Sequence, residues 1–214
     1  MQTVKKMQNS LNSMRPIRIS KGWINAGRAL IHIISIAWLS VVYLDALSGE
    51  LPGDPVQYLL DFSGIGTLHL LIMSLLISPM AQTFKFGQLV RLRKTLGVYA
   101  AVYALFHLYV FIAYELQYEW LLIAEEIIKR PYITVGMLAL SILSVLLITS
   151  LQAIKARMGT AWQKLHNWVY LATILGCIHF LWSVKSNWYE PTAYLITALI
   201  LISLRRKKLQ KIFK

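Results

Sequence analysis

Residues 162 to 185 read "WQKLHNWVYLATILGCIHFLWSVK", a run apolar enough for lipid that still carries two histidines, His166 and His179. Ionisable side chains are costly inside a bilayer, so those that occur there face a bundle interior or a cavity and mark function. The step from one histidine to the other advances a helix by ~20 Å, much of a ~30 Å hydrocarbon layer, and rotates it by about 220° beyond whole turns. An ideal helix therefore presents the two rings on different faces. Either Gly176 marks a local distortion, or the histidines serve different partners, one at an outer and one at an inner site; the second reading is preferred.

The rest of the chain fits a membrane setting. It has 214 residues, 57% hydrophobic and 14% charged, with a mean hydropathy of +0.56, outside the range of ordinary soluble domains. Apolar stretches of spanning length recur six times, at about Ala26 to Leu47, Ser63 to Phe84, Thr95 to Glu115, Tyr132 to Leu151, Ala161 to Val184 and, shorter, Pro191 to Leu204. The pattern predicts an all-α integral membrane protein, a six-helix bundle over residues 26–204 between a basic arm (1–25) and a basic tail (205–214). The arm lacks an apolar segment of its own and does not read as a cleavable signal peptide. Between spans, Leu116 to Arg130 mixes apolar and acidic residues at helical spacing and is expected to lie on the surface.

Charge orients the bundle. Of the 22 Lys and Arg residues, only Lys129, Arg130 and Lys185 fall in the connections that six crossings place on the second face, whereas all nine Asp and Glu residues lie on or near it. Opposite them are Lys5, Lys6, Arg15, Arg18, Lys21, Arg28, Lys85, Arg91, Arg93, Lys94, Lys155, Arg157, Lys164 and the tail from Arg205 to Lys214. Basic loops stay in the cytoplasm, so both termini are expected there. Spread over short loops without a nucleic-acid module, these charges suit anionic lipid rather than nucleic acid.

The chain shows no phosphate-binding glycine loop, no HExxH, no paired cysteines and no GxSxG, and its loops are too short for a soluble catalytic domain; no catalytic residue is assigned. Cys177 reads as packing, and the glycine pair in "SGIGTL" (63 to 68) as a turn at a helix entry. The five histidines, His32, His69, His107, His166 and His179, all fall within spans. Counted along the spans, His69, His107 and His179 form an outer layer, and His32 and His166 an inner one. Imidazoles at matched depth on separate helices, with aromatics such as Tyr99, Tyr103, Phe106 and Trp168 nearby, suit the two axial positions of a b-type haem. The lack of a CxxCH argues against covalent attachment.

Several motifs carry a resemblance over about residues 26–209: "GDPV" (53 to 56), "LLISP" (75 to 79), "RKTLG" (93 to 97), "FHL" (106 to 108), "RPYITVG" (130 to 136), "TSLQA" (149 to 153), "WQKLHNWVYL" and "IHFLWSVK". With them the chain resembles the MsrQ (YedZ) family, the haem-binding membrane subunits of the periplasmic methionine sulfoxide reductase system, within the ferric-reductase-like transmembrane group. The resemblance implies an electron-transfer subunit rather than a catalytic one. Its electrons come from the quinone pool or a cytoplasmic flavin reductase, cross through haem b, one or two copies, and reach a periplasmic molybdopterin-containing methionine sulfoxide reductase. It also implies the inner membrane of a bacterium and FMN as a cofactor; the inner-face basic residues Arg91, Arg93 and Lys164 are candidates for FMN or quinone contact. The family's haem-associated histidines match His107, His166 and His179, as iron ligands, and His32 as a cofactor contact; His69 has no counterpart, and hydrogen bonding is its expected role. The alternatives are a stand-alone ferric-reductase-like cytochrome b and a proton-coupled carrier using the histidines as a relay.

Overall fold

A computed structural model describes residues 20–205. Lys5, Lys6, Arg15 and Arg18 of the basic arm, and Arg206, Lys207, Lys208, Lys211 and Lys214 of the tail, lie outside the described residues. Among those described the chain is helical and contains no strand. Its α-helices are α1 (Lys21–Ser48), α2 (Pro55–Thr83), α3 (Leu92–Val110), α4 (Trp120–Lys129), α5 (Pro131–Ile148), α6 (Gln152–Met158), α7 (Thr160–His166), α8 (Val169–Ser183) and α9 (Tyr189–Ser203).

Local chemistry sets the boundaries. Gly49 closes α1 in the left-handed region (φ 74°), its N–H returning to the Asp45 carbonyl, a conformation glycine adopts without steric penalty. Asp54 opens α2 by accepting from the Val56 N–H at 2.8 Å, with Pro55 at the first helical position, where its missing N–H does no harm. A π-helical turn over Phe111–Glu115 ends α3. The surface segment expected between spans is α4: it exposes Trp120, Leu121 and Ile128. It carries Lys129–Glu125 and Arg130–Glu126 ion pairs at 2.7 and 2.6 Å, and Glu125 holds the Lys129 ammonium above the ordinary lysine range.

Among the described residues four segments can cross a bilayer by length and composition: α1, α2, Gly87–Glu115 (which contains α3) and α5. The expected fifth and sixth spans are shorter. At 15 residues each, α8 and α9 reach only ~22 Å, against ~30 Å of hydrocarbon. The fifth run is also interrupted. Here α7 ends at His166, and the N–H groups of Asn167, Trp168 and Tyr170 bond three residues back, to Lys164, Leu165 and Asn167, tightening the chain before α8. The distortion lies there and not at Gly176.

The central packing joins α2, α3, α5 and α8 around Leu71, Tyr99, Ala100, Ala101, Tyr103, Leu143 and Ala172. Small buried residues dominate the close contacts: Ser63, Ala100, Thr173, Cys177 and Ala198 are all fully buried. Lipid offers no hydrophobic drive for helix association, so backbones must approach closely, which small side chains allow. Cys177 is packing, as expected. Helix α1 leaves Trp23, Ile33, Trp38 and Leu44 exposed on the outside of the bundle.

One repair fixes the end of α2. Pro79 sits inside that helix and has no N–H for the carbonyl four residues earlier, that of Leu75. Arg205 donates from Nη2 to the Leu75 oxygen at 2.6 Å and from Nη1 to the Tyr170 hydroxyl at 2.8 Å. The guanidinium just past α9 thus closes a gap in α2 and ties both helices to α8.

Candidate functional site

Two of the five histidines meet. His107, near the end of α3, and His179, in α8, have ring centroids 6.1 Å apart and ring planes at 87°. Each ring is held from a different helix. Nδ1 of His107 lies 3.0 Å from the Leu60 carbonyl and 3.2 Å from Ser63 Oγ, both on α2. Nδ1 of His179 lies 2.7 Å from the Tyr132 carbonyl on α5. A carbonyl only accepts, so each Nδ1 carries the proton and each Nε2 keeps its lone pair. Among the described residues neither Nε2 has a hydrogen-bond partner. Two neutral imidazoles with free Nε2 atoms, oriented by carbonyls, form the donor set that metal-ligating histidines show.

Space for the rings comes from glycines on the opposing helices. A methyl group on Gly64 would lie 3.3 Å from Nδ1 and Cε1 of His107, and one on Gly136 would lie 2.7 Å from Nδ1 of His179. The pair in "SGIGTL" is therefore no turn. Both glycines lie inside α2, Gly64 facing His107 and Gly66 facing Tyr103, where an added Cβ would come within 2.7 Å. Ser63 and the Gly64 and Gly136 clearances escape a search for chemical side chains, because two are absences of a side chain and the third is a lone serine. The signals available were Ser63 and Gly64 side by side in one apolar run and a lone glycine, Gly136, in another.

The separation passes a fit test for haem. Two imidazoles on opposite sides of one iron, each with its nitrogen about 2 Å from the metal, place their centroids about 6 Å apart. The observed 6.1 Å matches that requirement.

The other three histidines stand apart. His69 Nε2 is 2.5 Å from the Tyr194 hydroxyl on α9, so the outer layer expected to hold three histidines splits into a facing pair and a hydrogen-bonded outlier. His32 Nδ1 lies 2.7 Å from the Tyr99 hydroxyl on α3, and His166 Nε2 lies 3.1 Å from Thr149 Oγ1. The inner layer of His32 and His166 is thus not drawn together. His166 is instead stacked on Trp162, with centroids 4.0 Å apart. The Trp162 indole donates to the Thr149 carbonyl at 2.9 Å, and Lys155 Nζ sits 4.2 Å above its ring. His166 and His179 thus contact different residues, Thr149 and Trp162 for the one and Tyr132 and His107 for the other.

Comparison with known proteins adds the family. Residues 63–177 match the family described as "Ferric reductase like transmembrane component", a segment that runs from Ser63 past His107 and His166 to Cys177. A relative from Pectobacterium atrosepticum, named "Protein-methionine-sulfoxide reductase heme-binding subunit MsrQ", is 38% identical over 196 residues, 91% of this chain and 98% of its own length. Its namesake from Pectobacterium carotovorum is 37% identical over the same shares. That from Cronobacter sakazakii is 35% identical over 88% of this chain and 94% of its own. No solved structure matches the chain. Apolar spans and a transmembrane family together make this a multi-pass membrane protein, and the chain belongs to the MsrQ family of haem-binding subunits within the ferric-reductase-like transmembrane group.

Proposed function

We propose that the protein is a haem b electron-transfer subunit of a bacterial inner membrane, crossing it six times with both termini in the cytoplasm. The observation that carries this reading is the His107–His179 pair, 6.1 Å between centroids, with both Nδ1 atoms committed to carbonyls. His107 and His179 would hold the haem iron through Nε2. The group supplies a one-electron couple inside an insulating layer. The protein's part is to fix both tautomers, exclude competing ligands and clear the site with Gly64 and Gly136.

His166 marks the inner half of the path. It is stacked on Trp162, and in the proposed orientation this aromatic pair lies toward the cytoplasmic side, where the donor named by family likeness, the quinone pool or a flavin reductase with FMN, would deliver electrons. His32 and His166 are not drawn together as His107 and His179 are, and His166 Nε2 itself lies against Thr149 Oγ1, so a second haem there lacks the paired geometry of the outer site. The recipient on the outer side would be a periplasmic molybdopterin-containing methionine sulfoxide reductase: the relatives' printed names support the methionine sulfoxide reductase system, and its periplasmic, molybdopterin-containing character is what the family resemblance implies.

The test is the reduced absorption spectrum of the purified protein. Wild type is expected to show a sharp α-band, and His107→Ala or His179→Ala to lose it, while His69→Phe and His32→Phe keep it. A colourless wild type after expression with ample haem overturns the proposal.

A further inference from the structure

Ser63 is fully buried and touches one member of the pair, His107, yet nothing in the ligand set requires it. Its hydroxyl has one proton. The shortest contact of Oγ is 2.6 Å to the Leu59 carbonyl, with Leu60 farther at 3.2 Å, so the proton belongs to the bond back along α2. What Oγ turns toward His107, 3.2 Å away, is lone-pair density. The single Nδ1 proton of His107 is therefore shared between that oxygen and the Leu60 carbonyl at 3.0 Å, while His179 gives its proton to the Tyr132 carbonyl alone, at 2.7 Å. The two rings are thus hydrogen-bonded unequally.

We infer that Ser63 is a positioning residue that tunes the donor strength of His107, and so the reduction potential of the haem that the proposed function assigns to the pair. The direction follows from charge. An oxygen accepting from Nδ1–H pushes electron density through the ring toward the iron and favours the oxidised, more positive state. Removing that oxygen favours the reduced state. Thr67, one turn on, donates to the Ser63 carbonyl at 2.9 Å and holds this stretch of α2 in place without contacting the histidine.

The experiment is a redox titration of the full-length, haem-loaded protein in nanodiscs, followed at the α-band. Ser63→Ala is expected to raise the ferrous-to-ferric ratio at fixed ambient potential about threefold, equivalent to about 28 mV at about 59 mV per tenfold for one electron. Haem content per protein should stay at the wild-type level. Ser63→Thr, which keeps the oxygen, should titrate with wild type. As a control, Thr173→Ala removes an equally buried hydroxyl, bonded at 2.8 Å to the Val169 carbonyl, and should leave the ratio unchanged. An unshifted Ser63→Ala in a haem-loaded protein overturns this inference and spares the haem reading. Equal shifts in Ser63→Ala and Ser63→Thr overturn it too, by showing a packing effect, whereas a wild type with no haem absorbance overturns the reading on which it rests.

Discussion

At Gly136 a methyl group would sit 2.7 Å from Nδ1 of His179, closer than real Cβ contacts come. The ring cannot retreat without leaving the Tyr132 carbonyl. Gly136→Ala should therefore displace His179, with an overpacking penalty of about 1–3 kcal/mol, enough to lower haem occupancy about fivefold or more. Absorbance per mole of protein measures it. Gly97 on α3 is the matched control: no atom lies within 4 Å of its built Cβ, so Gly97→Ala should bind haem as wild type does and gain up to about 1 kcal/mol in helix propensity. His69 makes the complementary case. Its bond to Tyr194 joins α2 to α9, and such bonds between membrane helices average about 0.6 kcal/mol, so His69→Phe should lower thermal stability slightly and leave the spectrum alone. The histidines were legible as residue types in an apolar chain, but their pairing was not. Depth counted along a helix put His69 level with His107, whereas the direction each ring faces depends on helix rotation, which a span count does not contain.

Helix ends show the same division between what local sequence encodes and what packing decides. The signals at Asp54, Pro55 and Gly49 act within a few residues and mark the start of α2 and the end of α1. By contrast, the run from Ala161 to Val184 reads as one span because nothing in "KLHNWVY" breaks a helix by propensity. Its tightening at Asn167 and Trp168 accompanies tertiary contacts: Thr149 with His166 on one side and Arg205 with Tyr170 on the other. The Arg205 contact gives a prediction at this scale. Its guanidinium replaces the N–H that Pro79 lacks, so Arg205→Met should destabilise the protein by about 1.5–3 kcal/mol, the range for hydrogen bonds from a charged donor. With Pro79→Ala in place the Leu75 carbonyl recovers a backbone partner, and the same Arg205→Met change should cost at least about 0.5 kcal/mol less. A double-mutant cycle on unfolding in detergent measures that coupling; strict additivity would show that Arg205 does not serve the proline gap.

Across the whole molecule, charge and length give different evidence about how often the chain crosses. Length alone qualifies four segments, and the 15-residue α8 and α9 could enter and return from the inner side as a hairpin. Charge bears on the count only through the α8–α9 connection, whose one basic residue is Lys185. Of the three basic residues expected outside, Lys129 and Arg130 are each paired with a carboxylate one turn earlier. On the opposite side Arg93 and Arg205 donate instead to the Ser74 and Leu75 carbonyls, so their charges stay uncompensated by acids among the described residues. These four residues keep their sides whether the chain crosses four or six times, and it is the sparse basic charge of the α8–α9 connection that favours placing it outside. Six crossings place Ser186, exposed between α8 and α9, outside, and Gln152, exposed at the start of α6, inside; the hairpin alternative places both inside. The native Cys177 is fully buried, so the background in a labelling experiment is low. In intact spheroplasts, Ser186→Cys should react with a membrane-impermeant maleimide while Gln152→Cys reacts only after permeabilisation. A Ser186→Cys protein that stays unlabelled until the membrane is opened would reduce the bundle to four crossings and bring the α8–α9 connection to the cytoplasmic side.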